Sequence, residues 1–110
     1  MKENPEYTKN LSALRTKITE PVDNLETFPA PKNITTVKFY TDELTSLCPI
    51  TGQPDFGKLT IEYEPNSLCL ESKSLKLYLW TFREEGHFCE ALASEIAEKI
   101  FKTLQPKWVK

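Results

Sequence analysis

From Ile34 onward, hydrophobic and polar positions alternate. In ITTVKFYT, Val37 and Phe39 stand between Thr36, Lys38 and Tyr40, the period of two of a half-buried strand. The segment TSLCPITGQPDFG (residues 45–57) breaks the pattern with Pro49, Gly52, Pro54 and Gly57 and is expected to be a loop. Alternation resumes in KLTIEYE, with Leu59, Ile61 and Tyr63 on one face and Lys58, Thr60, Glu62 and Glu64 on the other; Pro65-Asn66-Ser67 closes this second strand. Beyond Glu71 the spacing becomes helical. Leu75, Leu79 and Phe82 recur at i, i+4 and i+7 as an apolar stripe, while Lys73, Lys76, Trp80 and Arg83 recur on another face. Ser72 or Ser74 is the expected N-cap. After Gly86 a second helix is predicted from about His87 to Leu104, carrying Phe88, Leu92, Ile96, Ile100 and Leu104 in register and ended by Pro106. Trp108-Val109 opens a further strand. Residues 1–33, punctuated by Pro5, Pro21, Pro29 and Pro31, have no sustained periodicity and read as an extended, partly ordered arm before a single domain at 34–110.

Two strands, two helices and the start of a strand predict an α+β fold with an antiparallel sheet. Two strands alone make a marginal sheet, so more strands, another subunit or both are expected. The 110 residues fit one domain, and 39% apolar with 27% charged residues is ordinary for a folded soluble chain. A net charge of −2 gives no general attraction to nucleic acid. No apolar run approaches the roughly 20 residues that span a bilayer, so no membrane partner is expected, and MKENPEYTKN lacks the apolar stretch of a signal peptide. Cys48, Cys69 and Cys89 form neither a CxxC pair nor an even set, which favours a reducing cytoplasm. The sequons at Asn10 and Asn33 are then accidental.

Cys48 lies in a glycine- and proline-rich loop rather than in an apolar stripe. A free cysteine is most often an inert buried residue, but Thr51-Gly52-Gln53-Pro54 can fold back and bring Asp55 to the same site. A thiol near pKa 8.5 is only a few per cent thiolate at neutral pH, so a nucleophilic cysteine needs a proton acceptor or a positive environment. Asp55 is a candidate for that acceptor or, held protonated by burial, for a general acid. Lys73 and Lys76 sit one helical turn apart and can address one anion near a helix start; the plain alternative is a solvated face. Glu71 either complements the helix dipole or binds a donor-rich ligand edge, and Glu90 in the first turn of the second helix admits the same two readings. His87 reads as exposed, and Cys69 and Cys89 as packing residues. A zinc site from Cys48, His87 and Cys89 lacks the usual ligand spacing.

Two longer runs carry more. ESKSLKLYLWTFREEG together with SLCPITGQPDFG resembles the 7-cyano-7-deazaguanine reductases, the QueF family of queuosine synthesis in its short single-module form, over about residues 30–109. The resemblance implies a tunnelling fold: an antiparallel sheet carrying two helices on one face, with subunits joined into a ring and active sites between neighbours. It implies reduction of a nitrile to a primary amine by two hydrides from NADPH, giving 7-aminomethyl-7-deazaguanine, with no metal. Cys48 falls on the family nucleophile and Asp55 on its proton donor. Leu70, Glu71 and Ser72 fall on one substrate-binding stretch, Cys89 and Glu90 on the second, and Lys73 and Lys76 on positions that meet the cofactor phosphates. A thiolate turns the poorly electrophilic nitrile into a thioimide, and Glu90 suits the amino and ring N–H groups of the base.

Two features depart from the family. Histidine commonly precedes the second substrate glutamate, where this chain reads Phe88-Cys89-Glu90. Family members also continue past a segment like PKWVK into a further strand pair, so the chain is expected to be cut short at Lys110 or to carry a reduced sheet. Beside the reductase stand related enzymes of the same fold without hydride chemistry, transferring an amidino group or hydrolysing a purine or pterin ring with a metal. A non-catalytic subunit that binds a deazapurine is the third reading.

Overall fold

The computed structural model describes residues 20–110; the expectations for residues 1–19 of the arm, the Asn10 sequon included, lie outside the described residues. Strands β2 (Val37–Leu47) and β3 (Pro54–Glu64) form a long antiparallel hairpin. Both run further than alternation alone predicts, leaving residues 48–53 as the connection. A β-bulge explains the broken pattern. The register steps from Thr41 opposite Leu59 to Leu44 opposite Gly57, so β2 holds one extra residue. The inward phase passes from Val37, Phe39 and Thr41 to Leu44 and Ser46, and Asp42 and Glu43 stay exposed.

β5 (Trp108–Val109) lies along the other edge of β3, giving the order β2-β3-β5. Glu62 and Lys110 exchange two backbone hydrogen bonds of 2.8 Å, and Lys107 reaches Glu64 at 3.0 Å. A second, two-stranded antiparallel sheet pairs β1 (Thr27–Pro29) with β4 (Leu68–Leu70). β1 lies inside the stretch expected to be an arm, and β4 follows directly on the turn that closes β3. Leu25 is buried in the core, and Asp23 faces Lys99 at 3.8 Å, so residues 20–30 are packed onto the domain. Over the described residues the fold is thus a small α+β arrangement of antiparallel sheets and two helices.

Helix α1 (Ser72–Trp80) is capped by neither serine expected. Glu71 is the N-cap: its Oε2 accepts from the Lys73 N–H at 2.6 Å and its Oε1 from the Ser74 N–H at 2.8 Å. Ser74 is engaged differently. Its hydroxyl donates to the Glu71 carbonyl at 2.8 Å and accepts from the Glu26 N–H at 2.9 Å. α1 stops at Trp80, and Phe82 is buried from the following turn rather than from the helix. Helix α2 (Cys89–Leu104) buries Leu92, Ile96, Ile100 and Leu104 as its stripe predicts, whereas Phe88 is the exposed N-cap residue. Gln105, left-handed at φ 46°, ends it before Pro106.

One core joins Ile61 and Tyr63 of β3 to Leu75, Tyr78 and Phe82 and to the α2 stripe. Tyr63 is fully buried, and its hydroxyl accepts from the Leu70 N–H at 2.9 Å. Burial pushes this phenol up to about 12, so it stays neutral and ties β3 to β4 immediately before the Glu71 cap.

Candidate functional site

The β2–β3 connection is a tight turn that presents Cys48. The Cys48 N–H donates to the Gln53 carbonyl at 2.9 Å, and its own carbonyl accepts from the Gly52 N–H at 2.9 Å. Gly52 has φ +73°, a conformation that favours glycine. The turn also aims donors at the thiol. The Thr51 hydroxyl, then the Thr51 and Ile50 backbone N–H groups, hold the half-buried Cys48 sulfur below the ordinary thiol range, while desolvation and the nearby Asp55 carboxylate oppose them. Asp55 is the second residue of β3, opposite Ser46 in the ladder. The structure therefore brings Cys48 and Asp55 to the same end of one hairpin.

The start of α2 is tied to that end. The Leu47 N–H donates to the Glu85 carbonyl at 2.9 Å, and the His87 N–H donates to the Leu47 carbonyl at 3.1 Å. Gly86 bridges Leu47 in parallel. Cys89 and Glu90 follow three and four residues after Gly86, both exposed. Cys89 is thus no packing residue, unlike buried Cys69, and all three thiols are free. His87 is also not simply exposed. Its ring stands edge-on to Phe82 at 5.5 Å, its nitrogens lie 3.9 Å from Glu85 and Glu95, and its Nε2 is buried without a hydrogen-bond partner among the described residues. No three His, Cys, Asp or Glu side chains among the described residues gather into a metal site.

Gly86 has a steric reason to be glycine. A Cβ there would meet Pro49 Cα at 3.1 Å, so the turn next to Cys48 would have to shift by a few tenths of an ångström. With Cys48 as the expected nucleophile, Gly86→Ala should slow covalent capture of the nitrile about tenfold with the circular dichroism spectrum unchanged, since small misplacements of reacting groups are costly. An unchanged capture rate would show that the turn absorbs the methyl group.

The remaining candidates gather elsewhere. Leu70 and Glu71 are buried at the junction of β4 and α1, Ser72 and Lys76 are exposed on α1, and Lys73 is half-buried. α1 has nine residues, so its start and end are separated by about 12 Å. The turn after its end, not its start, reaches Leu47. One chain therefore presents the expected site residues as two separate groups, or half-sites: Cys48, Asp55, Cys89 and Glu90 at the hairpin end, and Leu70 to Lys76 at the start of α1.

Between α1 and the inward face of the hairpin runs a groove of about 810 Å³, within the range of roughly 300–1,000 Å³ typical of small-molecule and cofactor sites. Leu59, Ile61, Leu75 and Leu79 line its apolar part, and Ser72, Lys76, Trp80 and Arg83 form its α1 wall. Sequence reasoning assigned no role to Trp80 or Arg83, although their helical spacing with Lys76 was a usable signal.

The sequence pattern of the QueF-like protein family matches residues 54–110. The chain is similar to the NADPH-dependent 7-cyano-7-deazaguanine reductase of Anaeromyxobacter sp. (strain Fw109-5), 44% identical over 93 residues that cover 83% of this chain and 76% of that protein. The protein of the same name from Halorhodospira halophila is 47% identical over 94 residues, covering 84% and 80%. That from Nitrosomonas europaea is 42% identical over 94 residues, covering 84% and 68%.

Proposed function

The chain belongs to the QueF-like protein family, and from that premise we infer that it reduces the nitrile of 7-cyano-7-deazaguanine to the primary amine with NADPH, a step of queuosine synthesis in a reducing cytoplasm. The observation that carries this reading is the Cys48 turn, in which donors from Thr51 and Ile50 favour the thiolate beside Asp55.

The Cys48 thiolate adds to the nitrile carbon and forms a thioimide, and the proton taken up by the nitrile nitrogen comes from Asp55. Asp55 is exposed, so the bound base has to cover it. Glu90 accepts from the amino and ring N–H groups of the base, with Cys89 beside it. Glu71 contributes from the other half-site together with Leu70 and Ser72. Its two oxygens already accept one backbone N–H each, but a carboxylate offers about four acceptor positions, so capping and substrate binding are compatible. NADPH supplies hydride when bound. Lys76, exposed on the groove wall, and Lys73, one helical turn before it on α1, are the residues that would hold its phosphates.

The same reading gives the chain a tunnelling fold and a ring of subunits with sites between neighbours. The separation of the half-sites supports it, because a neighbour's α1 start can complete a hairpin end that its own chain leaves open. The outer edge of β2 is also unpaired among the described residues.

Incubating the protein with the nitrile and NADPH after chelation tests the reaction class. Two NADPH oxidised per amine formed is expected; with ammonium added, amidine formed without NADPH oxidation would contradict it, as would ring opening that occurs only when the chelator is left out. The lowered Cys48 thiol gives a pH signature. Covalent capture should accelerate as the thiolate forms with rising pH and level off below the ordinary thiol range of about 8.5. Thr51→Val, which removes the largest cause, should move that plateau to higher pH. An unmoved profile would contradict the role of the Thr51 hydroxyl.

A further inference from the structure

We propose that Arg83, stacked over Trp80, holds the 2′-phosphate of the NADPH adenosine and makes the enzyme select NADPH over NADH. The proposal rests on the reductase reading and adds residues to it.

Ser72, Lys76, Leu79, Trp80 and Arg83 lie at i, i+4, i+7, i+8 and i+11, one continuous wall of the groove from the start of α1 into the turn beyond it. The Arg83 guanidinium lies 5.1 Å from the Trp80 ring centre, a cation–π contact that fixes a long side chain without neutralising it. Lys76 and Arg83 are exposed, and neither meets a carboxylate in an ion pair among the described residues. The opposite wall carries Asp42 and Glu43 on the β2 bulge, and these repel a phosphate. The cationic wall is therefore α1.

Two of the backbone donors at the start of α1, the Lys73 and Ser74 N–H groups, are already taken by the Glu71 carboxylate. Anion binding along this wall therefore rests mainly on side chains. The Ser72 end adjoins Leu70 and Glu71 of the substrate half-site, so the hydride-donating ring belongs at that end. The Trp80–Arg83 end, eight or more residues along and so about 12 Å away, is left for the adenosine. There an indole offers a stacking face for adenine and a planar guanidinium offers paired donors to a phosphate.

The test is calorimetric titration of the full chain with NADP⁺ and with NAD⁺, for wild type, Arg83→Ala and Arg83→Lys. Arg83→Ala should weaken NADP⁺ about tenfold or more and leave NAD⁺ unchanged, with Arg83→Lys in between; in turnover the loss should fall on KM for NADPH rather than on kcat. NADP⁺ binding within about twofold of wild type in Arg83→Ala, or equal weakening of both nucleotides, would overturn the proposal. Capture of the nitrile by Cys48, followed in the same proteins, scores the reductase reading separately and should be unaffected by either substitution.

Discussion

Cys48→Ala is expected to abolish measurable nitrile reduction, a loss of at least about 10³-fold, the scale seen when a covalent nucleophile is removed. The fold should be untouched. The turn is held by the Cys48 N–H and carbonyl, through Gln53 and Gly52, and alanine keeps both. Binding of the nitrile substrate should also persist, because in the proposed mechanism Glu71 and Glu90 hold the base rather than the cyano group. Steady-state kinetics beside a binding isotherm checks this. Residual turnover within tenfold of wild type would exclude the covalent route, and parallel loss of binding and turnover would assign Cys48 to recognition instead.

Glu71→Ala should have the largest effect on stability of any change at a candidate site residue. The side chain is 5% exposed and caps α1 through two short hydrogen bonds. Losing an N-cap costs about 0.5–2 kcal/mol, and leaving the buried Ser74 N–H unsatisfied adds to this. A loss of about 2 kcal/mol corresponds to a fall in Tm of roughly 8–16 °C for a domain of this size. Glu90→Ala is the counterpart. Glu90 is exposed in the first turn of α2, so its loss should change stability by less than about 0.5 kcal/mol while weakening the substrate. Thermal melts with substrate titrations separate the two. Equal melting temperatures for both variants would mean that the cap is dispensable.

The contrast between these glutamates shows what the sequence could carry. Alternation around Val37–Phe39 and Leu59–Tyr63, and the Leu92–Leu104 stripe, marked elements long enough for periodicity to register. β1 and β4 have three residues each, too few for any period, and exist because Tyr63 and the Glu26–Ser74–Glu71 network fix them. The bulge at Asp42-Glu43 hid the second half of β2 by reversing its phase. The Glu71 cap was missed because Ser72 and Ser74 are better cap residues by type, and only the fold shows Ser74 engaged with Glu26. The nearness of Cys48 and Asp55 followed from turn chemistry. That Leu70–Lys76 stands apart from them did not, since it depends on which end of α1 meets Leu47.

The most direct test is the intact mass of denatured protein after incubation with 7-cyano-7-deazaguanine, with Cys48→Ala as control. The thioimide mechanism predicts a gain equal to the whole nitrile on wild type, none on Cys48→Ala, and discharge of the adduct by NADPH. Folded, assembled wild-type protein that gains no mass would contradict covalent catalysis at Cys48.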